Sequence, residues 1–373
     1  MGQWDWTTYF IFIIALLLSL PWLMRFDKHK EKYDRYGLIL AILPTFLLLA
    51  MRGESVGIDL IRYERAVEYT RNLNTISVNL FSEPLSNLIY WIANKLGGLR
   101  AFLIITSGVE CSLLGIALSE LHKKGKKITL LYFIFWGFVI IRSFSMVSNA
   151  IAICASLCAY VYLSDDSMQG RRKYWIYTLI AFLVHNSAIV NILVYFCCRP
   201  ATNANKKGKK GELIFRVFVI TCFILGMYFL SEGTFNNFIA TMVGGEYDRL
   251  QVESAFGIGN TLVRLPFIFL VIFSLQGIHK KSGTKVDAYV WLLIVDIIVA
   301  QMKYMNQDFE RFTMYTGLSV AFLCPELYDV YKNKFKGIIK IITPCVVLIY
   351  ITYYLYFWAI KSNYGIMPYQ LWR

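Results

Sequence analysis

Of the four histidines in this chain, three (His29, His122 and His279) lie in lysine-rich polar stretches. The fourth, His185, sits inside the run LIAFLVHNSAIVNILVYF at 179–196, where nearly every other residue would be at home in lipid. Asn186 and Ser187 follow it directly, so an imidazole, an amide and a hydroxyl interrupt the run together. A neutral imidazole can take a proton and return it near neutral pH, which is general acid–base chemistry. The same trio would also suit a histidine that only hydrogen-bonds between helices.

A second group follows an early apolar run. In 51-MRGESVGIDLIRYERAVEYT-70, Gly53 and Gly57 permit tight turns close to a ligand, and Arg52 and Asp59 flank that turn. Asp59, Arg62, Tyr63 and Ala66 then recur at helical spacing, either around a site or on a solvated surface face. Glu83 precedes Pro84, a carboxylate at a helix start that reads as a plain cap or as a further base. Glu110 and Asp296 fall within long apolar runs. Charging an acid at a bilayer centre costs roughly 2.5–3.5 kcal/mol, so both are expected to face the interior as structural partners, paired or protonated. The stretch 303-KYMNQDFERF-312 offers Asp308, Glu310 and Arg311 at one mouth.

Other chemistries lack a signature. Cys111, Cys154, Cys158, Cys197, Cys198, Cys222, Cys324 and Cys345 lie in or beside apolar runs with no C-x-x-C pair, and read as small buried residues. No His/Cys/Asp cluster has metal-ligand spacing, and no Walker-type or dinucleotide loop is present. Neither a metal nor another cofactor is expected.

The elements that must position these residues are helices. The chain is 57% hydrophobic and 16% aromatic, against about 45–50% apolar residues in soluble proteins. Apolar runs approaching the roughly 20 residues of a membrane span recur from end to end. The fold class expected is all-α: one polytopic integral membrane domain over 1–373, with about ten to twelve transmembrane helices and broken or re-entrant segments. The run at 7–24 has no basic region before it and no evident cleavage site, so it reads as a retained helix. Six basic clusters, at 25–36, 121–127, 171–173, 199–210, 279–285 and 331–340, hold 24 of the 38 Lys and Arg residues. The positive-inside rule assigns them to the cytoplasm. Helices are expected near 8–24, 37–51, 100–120, 127–142, 148–163, 174–185, 187–199, 212–230, 261–278, 285–303, 310–329 and 337–360, with both termini outside. A crossing at 84–97 would put the next lysine cluster outside, so that segment is expected to be interfacial or re-entrant.

Tyr174 to Arg199 is too short for two full crossings at about 1.5 Å per residue. Two shorter helices meeting at His185-Asn186-Ser187 fit better. Such breaks are tolerated at membrane depth where the backbone is buried in protein or lines a watery cavity. The trio is therefore expected at the floor of a cavity open to the outside.

That outer side would carry loops at 52–84 and 231–260, turns at 142–148 and 304–309, and a tail at 361–373. Its cations are mainly arginines: Arg52, Arg62, Arg65, Arg71, Arg142, Arg249, Arg264, Arg311 and Arg373, against Lys303 and Lys361. The six basic clusters are mainly lysine. Orientation needs only charge, whereas arginine adds a planar fork that grips phosphate. The outer face thus points to an anionic lipid-linked substrate, or to headgroup anchoring.

Together these segments resemble the EpsG-type branch of the Wzy-like polysaccharide polymerases. Members carry an Arg, then V-G-T-D and a nearby Tyr just outside an early helix; here Arg52 precedes Val56-Gly57-Ile58-Asp59 and Tyr63. The Glu-Pro helix start is matched by Glu83-Pro84, and the His-x-Ser-Ala motif by His185-Asn186-Ser187-Ala188. The late Arg-x-x-x-Tyr is matched by Arg311 to Tyr315, and a terminal Pro-Tyr by Pro368-Tyr369. Order and spacing agree across nearly the whole chain. Two positions depart: Ile58 replaces a threonine, and Ser148-Asn149 stands where an Arg-Gln pair usually precedes the fifth helix. Arg142, on the same outer turn, is a candidate substitute.

The resemblance implies transfer of a growing glycan from undecaprenyl pyrophosphate to the sugar of an incoming lipid-linked repeat unit. The product would be O-antigen, capsule or exopolysaccharide, made on the outer face of the bacterial inner membrane. Arg52, Arg142, Arg264 and Arg311 would hold the pyrophosphate. His185 is the first candidate base, with Asp59 or Glu83 next. Tyr63, Asn149, Asn186 and Ser187 would orient sugars, and polyprenyl chains would lie between helices. Expected partners are lipid-linked oligosaccharides, membrane lipid and other assembly proteins such as a flippase or chain-length regulator, without nucleic acid. Three competing readings share parts of this pattern. A flippase would want internal repeats and cations at both faces, and no repeat is evident. A ligase would share the donor but use another acceptor. A membrane acyltransferase would use a buried histidine but has no pyrophosphate to hold.

Overall fold

The computed structural model describes residues 6–28, 35–70, 82–199, 206–231, 264–302, 310–334, 345, 346, 349 and 365–372. Among them the chain is helical, and the one β contact is an isolated antiparallel bridge between Arg52 and Leu371. In chain order the helices are α1 (Trp6–Lys28), α2 (Arg35–Ala50), α3 (Leu60–Tyr69), α4 (Pro84–Leu96), α5 (Gly98–Lys123), α6 (Ile128–Ser143) and α7 (Val147–Tyr160). Then come α8 (Met168–Val184), a 3-10 turn (Asn186–Ile189), α9 (Val190–Cys198), α10 (Lys206–Ser231), α11 (Leu265–Ser282), α12 (Asp287–Met302), α13 (Glu310–Thr316) and α14 (Leu318–Lys334).

Helix α7 is the axis of the fold. Its sequence VSNAIAICASLCAY is rich in Ala, Ser and Cys, and every one of its residues is buried. Small side chains let neighbouring helices approach closely, and α5, α8 and α13 all pack against it. By contrast α1, α2, α10 and α11 leave many large apolar side chains exposed, including Leu17, Ile39, Phe218 and Phe273. Among the described residues, two helices are long and apolar enough to cross a membrane, α1 and α5. Four further apolar segments, 36–50, 128–143, 147–160 and 186–198, are shorter.

Described residues of the basic clusters make ion pairs with acids of other helices and turns. Lys126 pairs with Glu326 and Lys127 with Asp329, while Lys281 reaches Asp329 at 2.5 Å and Glu326 at 3.7 Å. Arg199 bonds Asp166 at 3.1 Å at the foot of α9. Elsewhere the loop after α2, the turn between α6 and α7, and the segment 365–372 lock together. Gly53 N–H donates to the Gln370 carbonyl at 2.6 Å, Gly57 N–H to Gly365 at 2.9 Å, and Trp372 N–H to Met51 at 2.9 Å. Ile58 N–H donates to Ser145 Oγ at 3.1 Å. Gly57 has a positive φ of 115°, and a Cβ there would lie 1.9 Å from the Phe144 carbonyl oxygen. The loop can meet the turn at this point only with glycine.

Several expectations change in detail. The α8 arm is longer than 174–185 because Ser167 caps it, its Oγ accepting the Gly170 N–H at 2.9 Å. Helix α6 carries a π turn at Trp136–Ile140, which no sequence pattern announced. The expected helix at 310–329 is interrupted at Gly317, where a Cβ would lie 2.4 Å from the Phe138 ring. The segment 84–97 forms a short amphipathic helix lying against α3, α5 and α8. The loop at 231–260, the turn at 304–309 and most of the helix at 337–360 lie outside the described residues.

Candidate active site

The break in the apolar run is real. Helix α8 ends at Val184, His185 is extended (φ −153°, ψ 124°), and the chain re-enters helix through a 3-10 turn. A break leaves backbone groups to satisfy. Ser86 on α4 does this, its hydroxyl donating to the Val184 carbonyl at 2.7 Å. Helix α4 is thereby fastened to the break, and the residue before it, Glu83, is brought to the imidazole. Glu83 Oε1 makes a short contact with His185 Nδ1 and also accepts the Asn186 N–H at 3.3 Å. Glu83 is the one non-glycine residue with positive φ among the described residues (φ 54°, ψ 60°). That conformation costs roughly 1–3 kcal/mol. The resulting carboxylate–imidazole pair is half-buried, with side chains 27% and 15% exposed.

Consecutive residues at the start of α7 join two polar groups to this pair. Asn149 Oδ1 accepts the Tyr315 hydroxyl at 2.7 Å and the Ser187 hydroxyl at 3.3 Å, and Ser187 and Tyr315 lie 2.9 Å apart. Among the described residues the Asn149 amide nitrogen faces the Met314 sulfur, at 3.1 Å. A thioether is a weak acceptor, so this donor is open to a better one. Ser148 turns to the other side, its hydroxyl 3.2 Å from the Tyr90 hydroxyl and its N–H 3.4 Å from the Tyr63 hydroxyl. Tyr63 stacks on Phe102 with ring centres 5.3 Å apart. Burial pushes the Tyr63 phenol up to about 12, with smaller contributions from the nearby Asp59 and Glu83 charges. It is therefore a neutral hydroxyl at physiological pH. Glu83 acts electrostatically on Tyr63, Tyr90 and Tyr315 alike, so one carboxylate faces both groups.

The candidate arginines have different surroundings. Arg311 is half-buried on α13, one turn from Tyr315, on which its charge acts. Arg142 is buried, with its guanidinium 4.8 Å from the Phe138 ring centre. Arg52 is buried too, donating from Nη1 to the Ser143 carbonyl at 3.1 Å and lying 5.3 Å from the Phe144 ring centre. Burial draws its guanidinium down to about 10, opposed by Glu110, so it remains cationic near neutrality. Arg264 is turned inward to the acid of α12, its Nε 2.5 Å from Asp296 Oδ2 and its Nη2 3.3 Å from Oδ1. Thr316 completes that cluster, donating to Asp296 Oδ1 at 2.7 Å. Asp59 pairs with exposed Arg62 at 3.4 Å. Of the sequence candidates, His185, Glu83, Asn149, Ser187, Tyr63 and Asn186 are brought together; Arg264 and Asp59 have other bonds.

Ser86 and Tyr90 belong to the constellation but were not among the residues the sequence singled out, and Ser148 and Tyr315 were marked there only by the family resemblance, without a role. Glu83, Ser86 and Tyr90 recur at i, i+3 and i+7, a polar stripe on a mainly apolar helix. That stripe was a readable signal. Among the described residues no group of His, Cys, Asp and Glu is arranged to hold a metal ion.

A half-buried imidazole backed by a carboxylate, beside hydroxyl and amide groups and with an arginine one turn away, can activate a hydroxyl next to an anionic leaving group. In the family comparison, the EpsG family model matches residues 35–371. No curated protein and no solved structure matches the chain.

Proposed function

Because the chain belongs to the EpsG family, we propose that it is a membrane glycosyltransferase that polymerises oligosaccharide repeat units carried on undecaprenyl pyrophosphate. It works as a multi-pass protein of the bacterial inner membrane, with the His185 site open to the outside. The growing glycan leaves its pyrophosphate carrier and joins the sugar of the incoming lipid-linked unit. Glu83, as a carboxylate, accepts a hydrogen bond from the Nδ1–H of His185 and holds the proton there, leaving the Nε2 lone pair free to take the proton of the acceptor O–H. As that proton moves to Nε2, the acceptor oxygen bonds the anomeric carbon and the bond from that carbon to the pyrophosphate oxygen breaks. Polyprenyl pyrophosphate departs with the bonding electron pair. The donor's own phosphoglycosyl bond supplies the driving force.

The charge growing on the leaving group calls for fixed cations. Arg311 is best suited to touch it, being half-buried beside Tyr315. Arg142, buried at the turn that leads to Ser148 and Asn149, contributes field from below. Tyr63, Asn149, Asn186 and Ser187 orient the sugars, and the thioether-facing amide of Asn149 is the donor most ready to change partner.

The observation that carries this reading is the contact between Glu83 and His185 at a helix break lined by Asn149, Ser187 and Tyr315. A strain lacking the gene, complemented with wild type or single variants, tests it through surface polysaccharide length on a gel. His185→Ala and Arg311→Ala should each leave single repeat units where wild type gives a ladder. Loss of all surface repeat units would identify a flippase, and polymer left on its carrier a ligase. Wild-type ladders from both variants would reject the site.

A further inference from the structure

Glu110 is a buried acid that the reaction above leaves unused. It lies on α5, 2% exposed, and its Oε1 accepts the Ser143 hydroxyl at 2.5 Å. An ionisable residue inside an apolar helix is expensive and is retained with a partner. Its charge partner is Arg52, also 2% exposed and within electrostatic reach. The two are joined through one serine. Ser143 gives its hydroxyl to Glu110, and its carbonyl accepts Arg52 Nη1 at 3.1 Å. Among the described residues Arg52 Nε is buried without a hydrogen-bond partner, and Ser143 anchors the guanidinium through Nη1.

Ser143 opens the turn that carries the site. Two residues on, Ser145 Oγ accepts the Ile58 N–H at 3.1 Å. Ser148 then meets Tyr63 and Tyr90, and Asn149 meets Ser187 and Tyr315. The π turn at Trp136–Ile140 precedes the last helical residues of α6, Ile141–Ser143. The buried acid and base thus grip the first residue of the turn from two sides.

We propose that Glu110 and Arg52 are positioning residues that act as one unit through Ser143, fixing the 143–149 turn and so aiming Ser148 and Asn149 into the His185 site. Arg52 then serves the reaction through the turn and does not touch the pyrophosphate. Its burial beside Phe144 and Tyr369 fits that role. This inference rests on the reading of the His185 constellation as the reacting site.

The test is a mutant cycle on the purified full-length protein in lipid nanodiscs, with a lipid-pyrophosphate-linked repeat unit as substrate. Glu110→Ala and Arg52→Ala should each lower kcat about tenfold, with donor KM within about threefold of wild type. The double variant should fall no more than about twofold below the weaker single, because residues acting as a unit are not additive. Glu110→Gln keeps an acceptor for Ser143 and should recover kcat to within about threefold of wild type. Ser143→Ala, the mildest change, should reproduce most of the Glu110→Ala loss. Multiplying losses in the double variant would overturn the proposal. So would an Arg52→Ala effect confined to donor KM, which would mark a phosphate contact. If wild type makes no polymer, the functional reading falls, and the cycle is then read in thermal unfolding. A double variant melting no lower than the weaker single supports the unit, and additive drops in melting temperature overturn it.

Discussion

Glu83→Gln is the substitution that most sharply separates a carboxylate-backed imidazole from a histidine that merely bonds across helices. Glutamine keeps the shape and can still accept the Asn186 N–H, but it removes the charge beside Nδ1. The magnitude follows from geometry. The two side chains are 27% and 15% exposed, so neither bulk water nor a dry interior describes the contact. At an effective dielectric constant of about 40, unit charges about 4 Å apart attract by about 2 kcal/mol. The imidazole is charged only after it takes the acceptor proton, so this attraction stabilises the transition state far more than the ground state. The expected result is a fall in kcat of roughly 30-fold, with donor and acceptor KM little changed. His185→Ala should cost more, about 10²–10⁴-fold, the usual contribution of a general base. Glu83→Gln on top of His185→Ala should add almost nothing, because the carboxylate acts through the imidazole. Steady-state turnover of a defined lipid-linked repeat unit by the purified protein measures all three. Wild-type kcat in Glu83→Gln would refute the reasoning, as would a double variant whose loss is the product of the singles.

Further outcomes follow from the surrounding contacts. Tyr315→Phe removes the hydroxyl that bonds Asn149 and Ser187; at about 0.5–1.5 kcal/mol per hydrogen bond, the melting temperature should fall by a few degrees and turnover roughly three- to tenfold. Gly57→Ala places a Cβ 1.9 Å from the Phe144 oxygen at a positive φ, so it should lower thermal stability and activity together, whereas an alanine at open Gly125 should do much less harm. Asp296→Asn leaves Arg264 with a neutral partner in a buried site, and losing one partner of a buried pair costs about 3–5 kcal/mol; replacing both with apolar residues should recover much of the lost melting temperature.

The helix break could be read from residue order because three polar groups interrupt an apolar run too short for two spans. The basic clusters could be read as well, because charge leaves a mark on sequence whatever the packing. The Glu83–His185 contact could not, since it spans 102 positions and depends on a left-handed backbone at Glu83. Nor could the fate of Arg264. Its type suggested a phosphate grip, but an acid on the next helix takes both Nε and Nη2. Arg52 is a similar case, because the carbonyl it meets belongs to Ser143, 91 positions away. Residue type thus marked which side chains carry charge, while the distant partner that each one meets was set by packing.

The most direct measurement of the central claim uses the purified wild-type protein with one synthetic repeat unit on undecaprenyl pyrophosphate, in nanodiscs without nucleotide. Mass spectrometry follows the lipid-linked products. The expected result is a ladder of lipid-linked oligomers, one undecaprenyl pyrophosphate released per new glycosidic bond, and loss of both in His185→Ala. Unchanged substrate with the wild-type protein, or an undiminished ladder with the variant, would contradict it.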